Sequence, residues 1–75
     1  MKDLKVEKIK KGDVLFFLQN KIELLETIIR RDEEAEVKWR LRDNQMLQEW
    51  YNGRITARKF DLEILQELKV LINNL

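Results

Sequence analysis

Four carboxylates fall within five positions, Asp32, Glu33, Glu34 and Glu36, and no other side chains in the chain are better placed to hold a hard cation or share a proton. A calcium loop would alternate Asp or Asn and close on Gly and a later Glu. Here the acidic run lies among Lys and Arg in a stretch of helix formers, which is the ordinary make-up of a solvated helix face. No metal is expected at it.

Nucleophilic chemistry has still less to work with. The 75 residues include no Cys and no His, and Thr27 and Thr56 are the only aliphatic hydroxyls because Ser is also missing. Acid-base work would fall to carboxylates, lysines or Tyr51 alone. The expectation is a protein that is not an enzyme and carries no cofactor.

Two groups of basic residues stand out, the arm Lys2, Lys5, Lys8, Lys10 and Lys11 and the cluster Arg54, Arg58 and Lys59. Either could touch phosphates, so an accessory role on nucleic acid is the alternative to a protein-binding one. Net charge is only +1, however, and offers no global field for a polyanion. No zinc-finger, basic-zipper or RNA-recognition signature is present. The arm followed by Val14 to Leu18 also has the make-up of a membrane-surface segment, against which the following acidic stretch works. That apolar run has five residues, where a membrane span needs about 20. With no secretory signal pattern, a cytoplasmic setting is expected.

The elements that must position these groups follow from punctuation. Proline is absent, and Gly12 and Gly53 are the only glycines. Residues 1–12 form a Lys-rich arm whose Leu4, Val6 and Ile9 fit neither a strand nor a helix period. Asp13 is a candidate N-cap for a long helix over 13–52, which Asn52 and Gly53 would end. A turn over 53–56 and a C-terminal helix over 57–74, capped by Thr56, complete an all-α helical hairpin. Phe17, Leu24, Ile28, Ala35, Trp39, Met46 and Trp50 recur every 7 and 4 residues, an 11-residue repeat that makes a nearly straight stripe on a continuous helix. The competing architecture is a three-helix bundle broken near Asp32, whose acidic neighbours resemble a helix first turn.

In the hairpin, Ala35, Trp39, Met46 and Trp50 are expected to pack against Phe60, Ile64, Leu68 and Leu71 as its core. A helix over 57–74 would reach back only to about Ala35, at 1.5 Å per residue. Leu15, Phe16, Phe17, Leu18, Ile22, Leu24, Leu25, Ile28 and Ile29 would then lack an intrachain partner and form an oligomer or partner interface. A homodimer or higher homo-oligomer is expected, in a small regulator, adaptor, inhibitor or subunit of a helical, coiled-coil-like assembly. The Lys, Glu, Ile and Asn bias is that of an AT-rich genome and points to a bacterial or phage source.

Overall fold

From Val14 to Leu41 the chain has no Gly, Pro or Ser, and Leu, Glu, Lys and Arg dominate it, so intrinsic propensity favours one unbroken helix. In the computed structural model, which describes residues 10–75, helix α1 runs from Lys11 to Leu41 and α2 from Gln45 to Asn73. The Lys-rich arm, including Lys5 and Lys8, lies outside the described residues except at its last members. Lys10 precedes α1 with extended backbone and makes no side-chain cap, and Asp13 sits in the first turn instead of capping it. There its carboxylate still complements the positive end of the helix dipole. α1 passes through Asp32 without a break.

The reversal comes at Arg42–Asn44, not at Gly53, and this corrects the expected boundaries. Asp43 takes a left-handed φ of 57°. Its N–H donates to the Arg40 carbonyl at 3.1 Å, and the Asn44 N–H donates to the Trp39 carbonyl at 2.9 Å. These two bonds are the Schellman closure of a helix C-terminus, with Asp in the place Gly most often fills. Asn44 then begins α2, its Oδ1 accepting from the Leu47 N–H at 3.1 Å. Gly53 is an internal residue of α2. The Thr56 hydroxyl bonds back to the Asn52 carbonyl at 3.0 Å instead of capping a helix.

Because the turn sits at residue 43, the two helices have nearly equal lengths, 31 and 29 residues. α2 therefore covers α1 along its whole length, and the expectation that the first half of α1 lacks an intrachain partner does not hold. Side chains meet in two heptad series with gaps alternating three and four: Leu15, Leu18, Ile22, Leu25, Ile29, Asp32, Glu36 and Trp39 on α1, and Gln48, Tyr51, Ile55, Arg58, Leu62, Leu65, Lys69 and Ile72 on α2. All sixteen are buried or half-buried. This is the seam of an antiparallel coiled coil. Leu18, Ile22, Ile29 and Ile55 are its buried apolar members, each contributing roughly 1.5–3 kcal/mol by leaving water.

Candidate protein-binding face

Five polar links set the register of the hairpin. Lys11 Nζ donates to the Asn73 carbonyl at 3.0 Å and Lys69 Nζ to Gln19 Oε1 near the open end. Lys59 pairs with Glu33 at 3.1 Å, Arg54 with Asp32 at 3.2 Å, and Gln48 Nε2 donates to Glu36 at 2.9 Å nearer the turn. The acidic run is thereby dispersed. Asp32 is buried beside Arg54, Glu33 and Glu36 are engaged across the seam, and Glu34 is exposed. Among the described residues no group of three carboxylates is arranged to hold a metal ion.

The same links take apart the second basic cluster. Arg54 and Lys59 are committed to carboxylates of α1, and Arg58 is half-buried in the seam with its Nε unpartnered. Lys10 and Lys11 stand at the open end, apart from them. A contiguous basic surface joining Arg54, Arg58 and Lys59 is not formed.

On a heptad the positions beside the seam define two faces of the hairpin, and their residues differ sharply. One face carries Gln19, Glu26, Glu33 and Arg40 from α1 and Asn52, Lys59, Gln66 and Asn73 from α2, with Phe16, Val37 and Val70 exposed farther out. The opposite face carries Phe17, Leu24, Ile28 and Ala35 from α1 and Trp50, Ala57, Ile64, Leu68 and Leu71 from α2, with Lys21, Arg31, Lys38, Arg54 and Asp61 among them. The two helices bring their apolar stripes together there. A groove of about 410 Å³ is lined by Leu24, Leu25 and Ile28 with Ile64 and Leu65, and by Lys21, Arg58 and Asp61.

This arrangement redistributes the residues expected to form a core and an interface. Of the expected hairpin core, Ala35 and Trp39 are half-buried, whereas Met46, Trp50, Phe60, Ile64, Leu68 and Leu71 are exposed. Of the expected interface, Leu18, Ile22 and Ile29 are buried in the intrachain seam, Leu15, Leu25 and Ile28 are half-buried, and Phe16, Phe17 and Leu24 are exposed. The 11-residue stripe is a real periodicity on the wrong face. On α1 it runs beside the seam, from exposed Phe17 and Leu24 through half-buried Ile28 and Ala35 into the seam at Trp39, and its continuation through Met46 and Trp50 crosses the turn.

Aromatic residues on and near the apolar face are attended by cations. Lys21 lies 5.4 Å from the Phe17 ring centroid, Lys38 5.0 Å from that of Trp39, and Arg54 5.0 Å from that of Trp50. In each case the charged group itself lies over the ring face, within cation–π range. No described helix is long and apolar enough to cross a membrane. No protein-family model, curated protein or solved structure matches the chain.

Proposed function

We propose that this chain is a non-enzymatic protein-binding protein that acts through the apolar face of its hairpin and associates with copies of itself through that face. A small regulator, adaptor, inhibitor or subunit of a helical assembly in the cytoplasm fits this reading. The observation that carries it is that Phe17 and Leu24 of α1 and Trp50, Ile64, Leu68 and Leu71 of α2 stand exposed together on one side, whereas the other side exposes Phe16, Val37 and Val70 singly among polar residues. A helix pair 14 Å thick has no interior beyond its seam, and no side chain among those described is fully enclosed. Small chains need a supplement to one modest core. Here Cys and His are absent, so covering the apolar face is the available supplement.

The polyanion reading has less support, because Arg54 and Lys59 already pair with Asp32 and Glu33. Light scattering after size exclusion tests the proposal. The expected mass at micromolar concentration is a multiple of 9.2 kDa, falling toward a single chain when Leu24→Gln and Ile64→Gln are combined. A wild-type chain that stays monomeric overturns the self-association.

A further inference from the structure

The apolar face is uneven along its length, and the unevenness selects one way of pairing two copies. Its open half, away from the turn, presents Phe17, Leu24, Ile64, Leu68 and Leu71, exposed by 57, 52, 46, 40 and 66%. Lys21 and Asp61, of opposite sign, are the only charged side chains lining the groove there besides Arg58. The turn half of the same face carries Arg31, Lys38 and Arg54 among Ala35, Ala57 and Trp50.

We propose that two hairpins stack apolar face to apolar face about a two-fold axis parallel to their helices, so that both turns lie at the same end and α1 of each copy packs on α2 of the other. This rests on the self-association proposed above and adds its geometry. With the axis along the helices, every residue keeps its level. The aliphatic open half of one copy then meets the aliphatic open half of the other, and Leu24 comes opposite Ile64 of the second copy. The cations Arg31 and Lys38 on α1 come opposite Ala57 and Trp50 of the second copy instead of opposite themselves. A fully overlapped head-to-tail stack would lay Phe17 and Leu24 of each copy against the Arg31 and Lys38 half of the other, leaving charges desolvated without partners.

Area is sufficient for a stable pair. Phe17, Leu24, Trp50, Ile64, Leu68 and Leu71 together expose roughly 600 Å² per copy, which puts a two-copy interface near the lower end of the ~1,200–2,000 Å² total of specific, stable interfaces. Isologous pairing of identical patches is also the commonest form of closed oligomer. All four helices then have antiparallel neighbours, as in an up-down bundle.

The chain has no native cysteine, so one spin label per copy reads the geometry directly. Arg42 is exposed, at the turn, with a negative φ, and Asn74 is exposed at the open end. Arg42→Cys and Asn74→Cys chains, each labelled, are measured by pulsed electron resonance separately and mixed. Each labelled protein alone is expected to give an inter-label distance below about 30 Å, and the mixture is expected to add one of about 45 Å or more, the length of α1 at 1.5 Å per residue. Long distances from each single label, with a short one in the mixture, overturn the shared-end geometry while leaving self-association standing. No dipolar signal at all, with a monomeric mass, removes both. Circular dichroism of each labelled chain checks that its helices are intact.

Discussion

The two halves of the hairpin are held by different physics. From Leu15 to Ile29 the α1 side of the seam is aliphatic, facing Leu62, Leu65 and Ile72 with Arg58 and Lys69 between them, and Leu18, Ile22 and Ile29 are buried in it. From Asp32 to the turn polar members Asp32, Glu36 and Gln48 enter the seam beside buried Ile55 and half-buried Trp39 and Tyr51, with the Arg54–Asp32 ion pair and the Gln48–Glu36 hydrogen bond across it. Aliphatic contacts stabilise by area and care little about exact partners. Directional bonds add little net energy but penalise a shifted register, because a slip leaves buried polar groups unpaired. The open half thus holds most of the aliphatic seam and of the exposed surface for association, and the turn half holds the buried directional pair Asp32–Arg54.

The largest effect that would sharpen this contrast comes from the open half. Ile22→Ala removes buried methyl groups from the seam and is expected to cost about 2–5 kcal/mol, read as a lower urea midpoint in chemical unfolding. If Ile22→Ala costs under about 1 kcal/mol, the large core value does not apply and the aliphatic seam is not the main support.

In the turn half, Arg54→Met is expected to cost about 1–3 kcal/mol by leaving the buried Asp32 carboxylate without its partner. Replacing both members, Asp32→Leu with Arg54→Leu, should recover most of that loss, since a well-packed apolar pair often matches a buried ion pair. Failure of the double variant to recover would mean the pair contributes net stability and not alignment alone. Asn44→Ala should be milder, about 1 kcal/mol through loss of the α2 N-cap. An unchanged melting temperature there would detach the cap from the energetics of the turn.

The smallest expected change has the opposite sign. A Cβ added at Gly53 meets nothing within 4 Å, so Gly53→Ala should stabilise α2 by about 0.5–1 kcal/mol through helix propensity. Had Gly53 ended a helix in the left-handed conformation, the same change would destabilise. A thermal melt separates the two signs.

Much of the fold was legible without coordinates. Helix formers without interruption from Val14 to Leu41 are sufficient for a helix through Asp32, and an all-α hairpin follows from one reversal in a chain of this length. The place of that reversal was harder to read. Gly53 is the conventional stop, yet Asp43 and Asn44 together supply the left-handed residue and the N-cap that a turn needs, and Asp and Asn adopt that backbone more readily than other side-chain-bearing residues. Adjacent Asp and Asn were the available signal.

The candidate face was legible only in part, because an apolar stripe does not say what it faces. Sequence alone determined that the chain is helical, that it is poor in catalytic groups, and that Phe17, Leu24, Ile28 and Ala35 share one side of α1. Only the tertiary structure decided that this side borders the seam, leaving Phe17 and Leu24 exposed and Ile28 and Ala35 half-buried, and that the seam takes in Asp32, Glu36, Arg58 and Lys69. The reason lies in pairing. A polar residue is admissible in a seam when the opposite helix brings a partner to it, as Arg54 does for Asp32 and Gln19 for Lys69, and which residues meet depends on where the chain turns back.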